Sequence, residues 1–276
     1  MSSSPVAVEI PRLERKGRVT QSKVALSEWT KLHSLRSTRW SLLIATVLVV
    51  GLPALFAAVT SSHWGSMSPH ERADRHPLDI ALAGVNVAQL AIAVLGVLVI
   101  TGEYSTGMIR ASFTAVPRRL PVLWAKIGVF GAATFVLMLP AVVTAFFVSQ
   151  AILSKHHILQ IPFTHPGVPR SVVGGAGYLV LIGVFALAIG SIVRNTAGGI
   201  AAFAALFFVI PPLMNILPAS WNNAISPFLP DAAGRRMFSL QTGTHDLHPW
   251  PGFLLFLGYT TLAVAIAAIL LVRRDT

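Results

Sequence analysis

An all-helical membrane protein with six crossing helices is what this sequence predicts, and three observations predict it. Hydrophobic residues make up 54% of the chain and charged residues only 11%, at a mean hydropathy of +0.70, far outside the balance of soluble domains. Apolar runs recur six times, at Trp40 to Thr60, Leu78 to Ile100, Val122 to Leu153, Val172 to Val193, Ala197 to Leu217 and Pro251 to Val272, and a bilayer crossing needs roughly 20 such residues. What lies between the runs is too short for a soluble domain of ordinary size. Lipid cannot satisfy open backbone groups, so the runs must be helices; the strands of a closed barrel would be short and alternating instead. The chain has no cysteine, which excludes disulfides, thiolate metal sites and cysteine nucleophiles.

Residues 1–20 are Ser-rich, Pro-containing and basic, the composition of a mobile tail. Residues 21–39 predict an amphipathic helix leading into the first span. At about 100° per residue, Val24, Ala25, Trp29, Leu32 and Leu35 fall on one arc, which Glu28, Arg36 and Arg39 interrupt. The basic leader is long and the first run is span-length with no clear cleavage site, which argues against a secretory signal peptide.

The second span carries Asn86 and Gln89, three residues apart and therefore neighbours on one helix face. Unpaired amides in hydrocarbon are costly, so the pair must face protein or water; a translocation path and an inter-helix hydrogen bond both satisfy that demand. Between the second and third spans the chain turns polar, over 101–121. This loop carries one acid, Glu103, a helix-compatible middle and a basic end at Arg118 and Arg119, and it looks built to touch something soluble. The third run is longer than one span needs, so its start, including Lys126, is expected along the interface.

Small residues at Gly183, Ala186 and Gly190 in the fourth span, and at Ala263 and Ala267 in the sixth, predict close helix packing. The fifth span holds Phe203, Phe207 and Phe208, then Pro211, Pro212 and Asn215. Tandem proline removes two backbone donors and predicts a kink toward one end. Its aromatics suit either packing or the wall of a path for an apolar substrate. The loop 218–250 contains Trp221, Phe228, Leu229, Met237 and Phe238, too apolar for a free tether, and predicts short helices lying against the membrane.

Lysine and arginine placement gives the orientation. One set of loops and termini holds 15 of them and the other set 6, so both termini are expected on the cytoplasmic side. The net charge of +11 is accordingly a signal of topology and of contact with anionic lipid, not of nucleic-acid binding. Eight of the nine histidines fall in the loops expected outside. Their spacing matches no closed ligand set, and no resident metal is expected.

Three segments carry a resemblance. Ser27-Glu-Trp-Thr-Lys-Leu-His-Ser-Leu-Arg-Ser-Thr-Arg-Trp precedes the first span, Glu103-Tyr-Ser-Thr-Gly-Met-Ile-Arg with Pro117-Arg-Arg-Leu-Pro lies between spans two and three, and Pro227-Phe-Leu-Pro-Asp-Ala-Ala-Gly precedes span six. Together with the closing Val272-Arg-Arg-Asp, they resemble the permease subunits of ABC-2 type transporters, in order along nearly the whole chain. The resemblance implies a six-helix half-transporter in a bacterial cytoplasmic membrane, paired with a second permease, identical or not, and with two copies of a cytoplasmic ATPase that binds ATP and magnesium. It further implies coupling to that ATPase through Glu103, Thr106, Gly107, Met108 and Arg110, and a connecting helix that includes Glu28, Trp29 and Lys31. His33 departs from the pattern, where a basic residue is more usual. Spans two and five line the path in related permeases, which makes Asn86, Gln89, Phe203, Phe207 and Asn215 candidates for it.

The loop supports that role on physical grounds as well. No phosphate-binding Gly-x-x-x-x-Gly-Lys-Ser/Thr occurs in the chain, so a motor would have to be another chain acting through a rigid contact. An intramembrane enzyme would need a nucleophile with a base, or paired acids, at depth; the ionisable residues Asp79 and Glu103 are expected only at span edges. A channel would want a filter or a ring of charge, and none is evident.

Overall fold

A computed structural model describes residues 20–108, 119–155, 158, 160–240 and 243–273. The described residues form helices and no strand. Six of the helices are long and apolar enough to cross a membrane.

The amphipathic helix α1 runs Gln21–Ser34 and stops at Leu35, whose extended backbone (φ −75°, ψ 124°) makes a sharp corner before α2, Arg36–His63. The helix expected over 21–39 is thus two helices, and residues 36–39 already belong to the first span. After the short α3 (Pro69–Ala73), started by a reciprocal Ser68–Glu71 capping box, come α4, Pro77–Ser105, and α5, Arg119–Lys155. The fourth span is α6, Val168–Val193. These four spans outrun their apolar runs, because each helix continues through polar flanks where its backbone bonds are still made internally.

The fifth span is composite: α7 (Thr196–Ala204), a π-helical turn (Ala205–Val209) and α8 (Ile210–Met214). Pro211 and Pro212 have no N–H to give to the carbonyls one turn back. The chain meets that deficit by widening before the prolines rather than breaking at them: Ile210 N–H bonds to the carbonyl of Ala205, five residues back. Two short helices, α9 (Ala219–Ile225) and α10 (Pro230–Arg235), then fold over one end of the bundle before the last span, α11, Pro249–Arg273.

The spans α4 and α6 form the centre, with α5 and α11 around them and α2 and α7 at the edges. Close approach between α4 and α6 comes from missing side chains. A Cβ on Gly96 would strike the backbone carbonyl of Gly183, one on Gly183 would meet the ring of Phe130 at 2.5 Å, and one on Gly190 would meet Ile100 at 2.8 Å. Ala186, Ala263 and Ala267 are buried in the same core. Gly84 does the equivalent work against α2, 2.5 Å from the carbonyl of Leu48. Without a hydrophobic drive between helices in lipid, such close packing is what holds spans together.

The two ends of the bundle are chemically distinct. One, here the α1 face, gathers α1, the end of α4 and the starts of α2, α5 and α7; the opposite face carries α3, α9 and α10. On the α1 face Arg194, at φ 57°, ends α6 in a left-handed turn. Its guanidinium lies 5.3 Å over the Tyr104 ring and donates to the carbonyl of Leu270, joining α6 to α4 and α11. Asn195 caps α7 by accepting from Gly198 N–H at 2.9 Å.

Candidate functional site

The site on the α1 face starts from a residue that a reading of apolar arcs treats as an interruption. Val24, Glu28 and Leu32, spaced four apart, are the side of α1 that is buried, so Glu28 stands at the centre of the packed face. Val24 packs with Val122 and Ala125 of α5, and Gln21 Nε2 donates to the Pro121 carbonyl at 3.0 Å. Leu26 and Trp29 are exposed on the other side of α1. Trp29 lies stacked beside His33 at a ring separation of 6.1 Å.

A carboxylate can occupy that position because two ammonium groups meet it. Lys126 Nζ of α5 donates to Glu28 Oε2 at 2.6 Å and to Glu103 Oε1 at 2.9 Å; Lys31 Nζ donates to Glu28 Oε1 at 2.7 Å and to Glu103 Oε1 at 3.0 Å. The four side chains form one network across α1, α4 and α5, formally neutral. Lys126, Glu28 and Glu103 are almost wholly enclosed, and Lys31 is at the rim. Burial pushes the Glu28 carboxyl up, but Lys126 and Lys31 outweigh it and hold the pKa below the ordinary value. For Lys31 burial pushes down, and the two carboxylates outweigh it and hold the ammonium above its ordinary value. Charge-assisted bonds between ionised partners are the strong kind.

This geometry corrects two expectations. Glu103 is not a loop residue presented to a soluble partner; it lies in the last turn of α4, buried and ion-paired. Lys126 is not a solvated flank of the third span but is 3% exposed inside the network. A single acid at the end of one apolar run and a single lysine inside another were the available signals, since an intramembrane charge demands a partner.

Beyond Glu103 the chain turns outward. Thr106, Gly107 and Met108 are exposed, and Gly107 takes φ 71°, a left-handed conformation that ends α4 as a C-terminal glycine does. Arg110 lies outside the described residues.

A cavity of about 240 Å³ opens beside the network, between α1, the start of α2, the end of α4 and α5. Its walls include Leu32, Leu35, Leu98 and Val99, and Glu103 and Lys126 stand at its polar side. The second carboxylate oxygen of Glu103, Oε2, is shut off from solvent and accepts no hydrogen bond among the described residues.

The residues expected on a path through the membrane separate. Gln89 is buried and accepts from the Tyr178 hydroxyl of α6, whose ring packs 5.1 Å from Phe238 and 5.7 Å from Phe256. Phe203 and Phe207 stack on each other at 4.4 Å within the core. These three are inside the fold. Asn215 is exposed and accepts from Asn222 Nδ2 at 3.4 Å. Asn86, half-buried, lines a polar cavity of about 430 Å³ near the opposite face, with Asp79, Arg235, Arg236 and Ser239. Arg235 pairs with Asp231 and Arg236 with Asp246 at 2.5 Å. Among the described residues no three histidines or acids converge as a metal site; His156 and His157 lie outside them. Comparison with models of protein families finds none that matches the chain, and comparison with curated proteins finds no relative.

Proposed function

We propose that this chain is the permease subunit of an ABC-2 type transporter, exporting a hydrophobic or amphipathic small molecule and driven by a separate ATPase. In this reading it spans a bacterial cytoplasmic membrane with both termini in the cytoplasm. It pairs with a second permease, and two ATPase copies sit beneath the α1 face. The observation that supports it most is the network of Glu28, Lys31, Glu103 and Lys126. It makes α1, the end of α4 and the start of α5 one rigid body, so a push on the exposed turn at Thr106 to Met108 would move spans α4 and α5 together. A motor without such a lever would only bend a loop.

Within this assignment the roles divide. Thr106, Gly107, Met108 and Arg110 would touch the ATPase, whereas Glu103, Glu28 and Lys31 hold the lever on the spans, and Trp29 faces away from the bundle. Of the path candidates, Asn86 lines the polar cavity near the opposite face.

The test is copurification with the ATPase followed by turnover measurements. Gly107→Pro should assemble poorly or abolish transport-linked turnover, because proline fixes φ near −65° where the chain needs a positive value. Arg110→Glu should weaken association most at low salt, as for a partly exposed electrostatic contact. A chain that binds no ATPase, or variants that assemble and turn over like the parent, would remove the assignment.

A further inference from the structure

The cavity beside the charge network has a chemistry that the proposed coupling role does not use. Its walls are largely apolar, it lies where α1 meets α2 and α4, and its polar side carries buried charges. The carboxylates present four oxygens to two lysines. Glu28 Oε1 accepts from Lys31 and Glu28 Oε2 from Lys126, Glu103 Oε1 accepts from both, and Glu103 Oε2 accepts from no described residue.

A buried carboxylate oxygen without a donor leaves desolvation unrepaid. Glu103 lines the cavity, so a donor that enters it can reach this carboxylate beside the bonds Oε1 already accepts from Lys31 and Lys126. What is missing there among the described residues is a hydrogen-bond donor, and the apolar walls ask for it to be carried on a hydrocarbon body. The network sums to zero formal charge, so selection rests on the free oxygen itself, which can only accept: an ammonium has protons to donate to it, whereas an anionic head meets it acceptor against acceptor.

We infer that this cavity is a binding site for a lipophilic ammonium, its nitrogen donating to Glu103 and its chain lying against Leu32, Leu98 and Val99. The ligand enters from the membrane leaflet on the α1 face. An amine-headed phospholipid and a free amphiphilic amine share this chemistry.

The test uses the full chain in nanodiscs of phosphatidylcholine and phosphatidylglycerol, without any ATPase, so its outcome is independent of the coupling assignment. The probe is dodecylamine bearing a photoactivatable diazirine, and labelled peptides are located by mass spectrometry. Labelling is expected in α1 and the end of α4, and competed by dodecylamine at concentrations at least tenfold lower than dodecanol or dodecyl phosphate. Glu103→Gln, which swaps the acceptor for an amide, should reduce labelling at least tenfold. Because that variant also disturbs the ion pairs, Ser37→Trp provides a second check: Ser37 is exposed at the cavity wall and touches none of the four charges, and the indole should block labelling in a normally folded chain. Competition by added phosphatidylethanolamine identifies the lipid as occupant; competition by the free amine alone identifies the amphiphile. No labelling of these peptides, equal competition by amine and alcohol, or labelling indifferent to both variants would overturn the inference.

Discussion

Lys126 decides whether α1 stays on the bundle. It is the more buried of the two cations that satisfy Glu28 and Glu103, and removing one member of a buried ionic network strands the others, at a cost of about 3–5 kcal/mol. Lys126→Met is therefore expected to lower stability by that amount in thermal or denaturant unfolding, with α1 released first. The pH response follows from the directions of the shifts. Glu28 is held below its ordinary 4.5, so its contribution is complete above that value and is lost as pH falls through the lowered one. Lys31 is held above its ordinary 10.5, so its contribution is complete below that value and is lost as pH rises through the raised one. Docking of α1 should be constant across this window and fail beyond both ends. Spin labels at Ser27→Cys and Leu120→Cys, in a chain with no native cysteine, would report a fixed distance inside the window and a broadened one outside.

At the scale of the element, glycine position separates packing from mere propensity. Gly96→Ala pushes a methyl into the backbone of Gly183 and should cost about 1–3 kcal/mol, as overpacking does. Gly128→Ala in α5 meets nothing within 4 Å, and the gain in helix propensity should make it neutral or stabilising by up to about 1 kcal/mol. Unfolding of both variants in the same nanodisc checks the contrast; equal losses would show that α4 and α6 are not held by backbone contact. The spans were legible in the sequence because hydropathy over twenty residues is a strong signal, and the small residues of α6 announced its crowded surroundings. The packed face of α1 was not, because an arc drawn through Val24, Trp29 and Leu35 counts Glu28 against itself. Only partners 72 and 98 residues away in sequence, Glu103 from Lys31 and Lys126 from Glu28, reverse that reading. The π turn in the fifth span was equally hidden: tandem proline announces missing donors but not whether the helix widens or breaks.

For the whole molecule, six spans put the turn after α4 and the α3 region on opposite sides of the membrane. Cysteines placed at Thr106 and His70, both exposed, should react with a membrane-impermeant thiol reagent from opposite sides in oriented vesicles; reaction of both from one side would reject the arrangement. The distance in sequence between Glu28 and Lys126 also sets a clock. During synthesis α1 emerges long before the lysine that completes its seat, and at about 5–20 residues per second the interval for those 98 residues is roughly 5–20 s. Through that time Glu28 has only Lys31, on its own helix, as a counter-charge among the network's members, and α1 has no fifth-helix surface to rest on. Chains truncated before residue 119 should leave α1 open to protease, and chains extended through Lys155 should protect it. Maturation of this face is therefore an event of the third span's arrival, not of the first helix's own making.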